Sequence, residues 1–328
     1  MGAVLLAGGA GYVGSHAAMS LRAAGREVVV LDNLQTGHRA AVRDVPLVVA
    51  DIADRAAVRD TIQRHRVTSV MHFAALLSVG ESVRSPARYY AANVTKTLAL
   101  LDAVVAEGVE RLVFSSTAAV YGEPRETPIT EDHPTCPTNA YGETKLAIEN
   151  LLPHYERAYG LRAVRLRYFN AAGAAVDGSI GEDRRPAEHL VPRVLSAARG
   201  GPPLVCFGAD YPTPDGTCVR DYVHVSDLAA AHVLALAALE TDTPLRVCNL
   251  GSGRGYSVRE VVAAVERVTG LAVPCRAGAR RPGDPAVLLA SSARAHSELG
   301  WEPEYGELDV IVETAWRWHR SHPRGYAS

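Results

Sequence analysis

The chain has 328 residues, more than one hydrophobic core usually organises, so a large domain with a smaller partner is expected. Hydrophobic residues make up 48% and charged residues 21%, an ordinary globular balance, and a formal net charge of −2 gives nothing to attract nucleic acid or an anionic membrane. Five cysteines (Cys136, Cys206, Cys218, Cys248, Cys275) lie scattered without a C-x-x-C pair, which excludes a zinc motif or disulfide framework and fits reduced thiols in the cytoplasm.

The apolar start, Met1 to Leu6, has no charged n-region and runs straight into glycines, so it reads as a strand and not as a signal peptide. Gly2 is no myristoylation site, because Leu6 stands where Ser or Thr is needed. No apolar run reaches membrane-spanning length. Strands are then expected at 3–7, 27–31, 47–50, 69–73, 111–115 and 162–167, alternating with helices at 12–24, 55–65, 87–107 and 140–159. Such alternation specifies an α/β fold, a doubly wound parallel sheet, here over residues 1–170.

Between the first strand and helix, Gly8-Gly9-Ala10-Gly11-Tyr12-Val13-Gly14 forms G-x-x-G-x-x-G. Glycines there let the backbone turn tightly and approach a pyrophosphate seated on the helix N-terminus. Asp32 closes the second strand, 18 residues after Gly14. An acid at that place accepts hydrogen bonds from the adenosine ribose, and no basic residue follows directly, so NAD is expected over NADP. Asp51 and Ile52 close the third strand, where adenine would lie. For Asp51, a helix cap or turn is an equal alternative.

The strand at 111–115 runs into Ser115-Ser116-Thr117-Ala118-Ala119-Val120-Tyr121-Gly122. Ligands of open parallel sheets bind at the carboxyl ends of strands, which places Thr117 to bond a substrate hydroxyl. The plainer alternative is a threonine serving local backbone groups. Tyr141 and Lys145, four apart on a predicted helix, share one face. A phenol titrates near pH ~10, too high for a base at neutral pH, and a nearby ammonium would lower it. Thr117, Tyr141 and Lys145 together make a proton-transfer set beside a hydride acceptor, suited to a secondary alcohol.

After Asn170 the pattern becomes irregular. Residues 173–186, rich in Gly, Asp and Arg, read as a long functional loop. Helices follow at 188–199, 226–238, 258–268 and 309–319. Residues 171–328 are taken as a smaller α/β substrate domain, parts of which return to the first.

These residues resemble the UDP-glucose 4-epimerases, of the extended short-chain dehydrogenase/reductase type, over nearly the whole chain. The matching runs are GGAGYVGSH, LDNL, HFAA…VGESV, FSST…VYG, YGETK, RYFNAAG, GEDRRP, FGADYPTPDGTCVRDYVHVSDLA, NLGSG and RRPGD. The resemblance implies inversion at C4 of a UDP-hexose through a 4-keto sugar, with NAD as cofactor and Thr117, Tyr141 and Lys145 as the catalytic group. It implies cofactor contacts from Gly8, Gly11, Tyr12, Val13, Gly14, Asp32, Asn33, Asp51, Ile52, Phe73, Ala74, Ala75, Asn93, Lys145 and Phe169. It implies that Asn170 meets the nucleotide sugar, that Arg220 and Arg281 clamp the diphosphate and that Asp284 holds the uridine ribose. His189, Leu190, Phe207, Tyr222 and Leu288 complete the substrate set with Thr117 and Tyr141. For either arginine taken alone, a solvated surface charge is the simpler reading. The resemblance also implies a homodimer built as a four-helix bundle from 87–107 and 140–159, whose stripe includes Leu98, Leu101 and Val105.

The chain departs from the family's pattern at Ala7, where Thr is common, and at Leu77, where some members carry a cofactor-contacting lysine. His189 is Asn or His among members, and Leu288 stands where an aromatic or small residue lines the sugar pocket. The last two leave open a preference for UDP-N-acetylhexosamine or UDP-glucuronate. A 4,6-dehydratase needs a further acid and base, which Thr117-Ala118-Ala119 does not provide. An NAD-sensing protein without catalysis would have no need of the Thr/Tyr/Lys set.

Overall fold

The run Ala-Val-Leu-Leu-Ala buries every residue, as a strand covered on both faces must. It forms β1 (Ala3–Ala7) in a computed structural model that describes residues 2–241, 246–281 and 284–326. Met1 and the Pro282-Gly283 pair of the RRPGD run lie outside the described residues. Around β1 run β2 (Val28–Asp32), β3 (Leu47–Val49), β4 (Val67–His72), β5 (Arg111–Thr117) and β6 (Arg162–Tyr168). With a later strand, numbered β10 below (Val247–Leu250), they make a seven-stranded parallel sheet of order β10-β6-β5-β4-β1-β2-β3.

Helices cover both faces, as parallel crossovers require. On one side pack α1 (Tyr12–Ala23) and α8 (Val225–Glu240), whose Leu21, Leu228 and Leu236 share a core with β1 and β6. On the other lie α2 (Arg55–His65), α5 (Lys96–Ala106) and α6 (Ala140–Tyr159), around Ile62, Leu101 and Leu152.

The expected helix at 87–107 is interrupted. After α3 (Val79–Arg84) come α4 (Pro86–Tyr89), a π-helical turn (Tyr90–Thr95) and only then α5. The wider turn carries Asn93 inward, where its amide serves both backbone groups of Leu76 (N–H to Oδ1 2.8 Å, Nδ2 to C=O 3.0 Å) and reaches Thr144 Oγ1 at 3.0 Å. By contrast α6 runs unbroken through Pro153. Proline cannot donate to the Glu149 carbonyl, and Arg165 Nη1 meets that carbonyl instead, at 3.4 Å.

The remaining chain forms β7 (Asn170–Ala172), α7 (Leu190–Ala198), β8 (Leu204–Phe207), β9 (Val219–His224), β11 (Gly255–Ser257), α9 (Val258–Thr269), β12 (Cys275–Gly278), β13 (Val287–Leu288), α10 (Ala293–Leu299) and α11 (Leu308–Ser321). β9 is the centre of a small sheet with β7, β11 and β13, while β8 and β12 pair alone. A second core of Val191, Leu195, Val261, Val265 and Ile311 joins α7, α9 and α11. No element covers 173–189, as expected for a loop. The short strands β7 to β13 are missing from the sequence reading, because runs of two to six residues at junctions carry no detectable alternation. Among the described residues no helix is long and apolar enough to cross a membrane.

Candidate active site

A cleft of about 1070 Å3 opens along the carboxyl ends of the large sheet and continues over β9 and β13. That is at the top of the range for sites holding one drug-sized ligand and leaves room for two nucleotides. Every residue expected at the cofactor or substrate lines it except Asn93, which lies beneath, committed to Leu76 and Thr144.

At one end the glycines divide the work. A Cβ on Gly8, at φ +79°, would meet the Ala74 backbone N at 2.4 Å, and one on Gly14 would meet Gly8 O at 2.6 Å. Both are demanded by close packing of loop, strand and helix. A Cβ on Gly11 would touch nothing nearer than Gly8 O at 3.4 Å. Gly11 caps α1 with no side-chain bond, and no acid occupies the first turn. The cradle is therefore open to an anion from the cleft side, and it fits a dinucleotide pyrophosphate.

Asp32 accepts from the backbone of Ala10 (3.0 Å) and Leu34 (2.8 Å), and burial pushes its carboxyl up. The second bond holds Leu34 at φ +58°, a left-handed conformation that a side chain usually avoids. Asp51 serves a turn and also lines the cleft. It closes an Asx turn on Ala53 N (2.9 Å), and its carboxylate also faces the cleft, held by Asn33 Nδ2 (3.1 Å) and Lys96 Nζ (2.5 Å). From sequence alone Lys96 reads as any lysine within the helix expected at 87–107.

At the centre, Thr117 and Tyr141 both line the cleft, and Thr117 Oγ1 accepts from Ala119 N at 3.2 Å. Burial pushes the Tyr141 phenol above its usual value, opposed first by the nearby Thr117 hydroxyl and then by the charge of Arg184. Lys145 Nζ donates to the Ser115 carbonyl at 2.8 Å, and burial drops its own pKa to about 8, with Glu149 one turn further along α6 pulling it back. Glu149 is held bidentate by Arg167 (2.9 and 2.5 Å) and accepts from Ser116 Oγ at 2.5 Å. Arg167 reaches the Tyr121 hydroxyl (2.9 Å), which donates to Asn249 (2.7 Å). This buried chain ties α6 to β5, β6 and β10, so the helix bearing Tyr141 and Lys145 has one seat. Breaking such a pair leaves an uncompensated buried charge.

At the far end Arg220 donates from Nη1 to the Val219 carbonyl (2.7 Å) and from Nη2 to the Pro285 carbonyl (2.8 Å) and the Asp284 carboxylate. Arg281 stacks over the Phe207 ring at 3.9 Å. Asn170 donates to the Asp221 carbonyl (2.8 Å), and its strand pairs with β9 beside Tyr222. Leu288, also in the cleft wall, pairs with Arg220 in register. His189 donates from Nδ1 to Glu182 at 2.7 Å, and that buried carboxylate raises the imidazole pKa. Glu182 and Arg184 belong to the quoted GEDRRP run but not to the expected site. Tyr326, which also lines the cleft, gave no signal, lying far from any motif.

Comparison with known proteins agrees along the whole chain. The NAD dependent epimerase/dehydratase family matches residues 4–251. A UDP-glucose 4-epimerase of Halalkalibacterium halodurans is 51% identical over 327 residues, covering 99% of this chain and 98% of that protein. The crystal structure of UDP-glucose 4-epimerase from Brucella ovis in complex with NAD superposes with a TM-score of 0.94 at 48% identity, covering 96% of this chain and 98% of that one. The Bifidobacterium longum enzyme in complex with NAD+ and UDP gives 0.93 at 38% identity, covering 99% and 100%.

Proposed function

The chain belongs to the NAD-dependent epimerase/dehydratase family, and from that premise we propose that it is an NAD-dependent isomerase inverting C4 of a UDP-hexose, interconverting UDP-glucose and UDP-galactose. One observation carries this reading: Thr117, Tyr141 and Lys145 line one cleft together with the glycine-loop anion cradle and the paired Arg220 and Asp284.

Bound NAD supplies the acceptor, and later the donor, of the C4 hydride. The protein does the rest. Tyr141 takes the proton of the C4 hydroxyl and returns it, while Thr117 orients that hydroxyl. Arg220, Arg281 and Asp284 grip the diphosphate and ribose, as guanidinium forks do. The hexose is held more loosely, so the 4-keto sugar turns and offers its opposite face. Asn170, His189, Leu190, Phe207, Tyr222 and Leu288 would border sugar and base. Gly8, Gly11, Tyr12, Val13, Gly14, Asp32, Asn33, Asp51, Ile52, Phe73 to Ala75, Lys145 and Phe169 would hold the dinucleotide, with Asn93 supporting them from below.

Residues 1–170 are proposed to serve mainly the cofactor and 171–328 mainly the nucleotide sugar. We place the protein in the cytoplasm as a two-fold dimer through α5 and α6. Leu101 faces the core and Val105 packs against it, whereas Leu98 is only half-buried and Tyr90 and Tyr159 are exposed. A monomeric mass by light scattering would dispose of the dimer. The deciding assay presents UDP-galactose, UDP-glucose, UDP-N-acetylglucosamine and UDP-glucuronate to the purified protein side by side. Turnover of UDP-galactose is expected, and none with any of the four would overturn the reading.

A further inference from the structure

A loop as long as 173–189, without secondary structure, is usually functional or disordered. Here the far end of the chain orders it. Gly181 donates its N–H to the Tyr326 hydroxyl, which donates back to the Gly181 carbonyl, both at 3.0 Å. Trp318 Nε1 donates to the Glu182 carbonyl at 3.3 Å, and His38 Nε2 to the Asp183 carbonyl at 2.8 Å. The Tyr326 backbone N–H donates to the Asp183 carboxylate at 2.8 Å. Contact is close enough that a Cβ on Gly181 would lie 2.4 Å from the Trp318 ring, and one on Gly325 1.9 Å from Asp183 Oδ2. Tyr326 itself packs between Trp318 and His38, with ring centroids at 4.7 and 4.9 Å. Three consecutive residues are thus pinned, and the middle one, Glu182, is the buried partner of His189 in the cleft wall.

We infer that Tyr326 is a positioning residue for the hexose end of the cleft: by fixing the backbone of 181–183 it aims Glu182 at His189 and so sets the ring bordering the sugar. The inference rests on the epimerase reading. Tyr326 touches neither reacting atoms nor the Thr117–Tyr141 pair; it acts through the loop. Its phenol oxygen does the aiming and its ring does the packing, so the two are separable. Tyr326→Phe keeps the ring between Trp318 and His38 but leaves both backbone groups of Gly181 without that partner. With Glu182 less well aimed, His189 loses the carboxylate that raises its pKa.

The test uses the full chain, with kinetics on UDP-galactose across pH, bound NAD measured after denaturation, and thermal melts. For Tyr326→Phe, KM should rise roughly tenfold, the loss of one to two ordinary hydrogen bonds. The change in kcat should be smaller, and NAD content should be unchanged. The His189 limb of the kcat/KM profile should move to lower pH, and adding Tyr326→Phe to His189→Asn should cost nothing further. An unmoved KM and pH limb, or an equal cost in the His189→Asn background, overturns the inference. If Tyr326→Phe melts early, Glu182→Gln leaves the tail contacts intact and must shift the same limb in the same direction; an unshifted limb is equally fatal. Wild-type turnover separates the two ideas. Its absence sinks the epimerase reading, whereas turnover with an unaffected Tyr326→Phe sinks only the positioning role.

Discussion

Arg220 and Asp284, 64 residues apart, meet as an ion pair in the cleft wall, and the same guanidinium also bonds the Val219 and Pro285 carbonyls. A side chain so anchored is aimed before any ligand arrives, which reduces the ordering cost of binding. Arg220→Met should weaken UDP binding by about ten- to a hundredfold, the range for losing a charged hydrogen bond. Calorimetric titration with UDP checks this, with bound NAD as control. An unchanged affinity would place the diphosphate elsewhere.

Tyr141→Phe keeps the ring and loses the hydroxyl that lines the cleft with Thr117. It should fold, retain NAD and lose turnover by roughly 10²–10⁴-fold, the usual contribution of a general acid–base group. A variant that epimerises UDP-galactose at the wild-type rate refutes the assignment.

Asp32 accepts from the amides of Ala10 and Leu34, and the proposed function asks it to hold the adenosine ribose as well. Asp32→Ala is therefore expected to lower both NAD retention and melting temperature. Full NAD content after purification, with only the melt lowered, would show that the residue serves the loop and not the cofactor.

Lys145 predicts a pH effect of definite sign. Unfolded, it stays protonated to a pH of ~10.4; folded, burial drops its pKa to about 8. Between these limits the unfolded state binds more protons, so the residue's contribution to stability improves as pH rises through that window. Lys145→Met should be inactive yet more stable than wild type near neutral pH, by on the order of 1–2 kcal/mol after the lost Ser115 bond is counted. Melts taken at neutral pH and again near the upper limit should show the advantage shrinking. An advantage that grew with pH would contradict the burial argument.

Leu288 bears on sugar choice. If it borders C2 of the hexose, a leucine leaves space that a tyrosine would fill, and some turnover of UDP-N-acetylglucosamine is expected. Leu288→Tyr should then cut activity on that substrate selectively. Equal loss on UDP-glucose would mean that the position is no size gate.

What was legible in the sequence is what carries period or strict residue type. The helices at 55–65 and 140–159 emerge with the expected limits, the second even through Pro153. Gly8 and Gly14 are legible because a tight turn with close backbone approach admits few alternatives. Asn93 was read as a cofactor contact, but its amide is spent on Leu76 and Thr144. Lys145 also donates to the Ser115 carbonyl of the adjacent strand, a bond that helical spacing does not announce. Both depend on tertiary placement that helical spacing does not encode. Tyr326, Lys96 and the Glu149–Arg167 pair were invisible for the same reason, since their partners are distant in sequence and neither residue type nor spacing marks them.

The strand β10 has a consequence for how the protein is made. It caps the sheet beside β6 and brings Asn249, whose amide donates to the Ile129 carbonyl and accepts from Tyr121, while its backbone N–H donates to Glu131. During translation, β6 leaves the ribosome long before β10 does, so its outer edge stays open while the intervening segments are synthesised. An open parallel edge is a template for pairing with other chains. A nascent or truncated product ending near residue 170 would hold most of the glycine-loop half yet present that edge and a Tyr121 hydroxyl without its Asn249 acceptor. Its solubility would depend on chaperones until the returning strand closes the sheet.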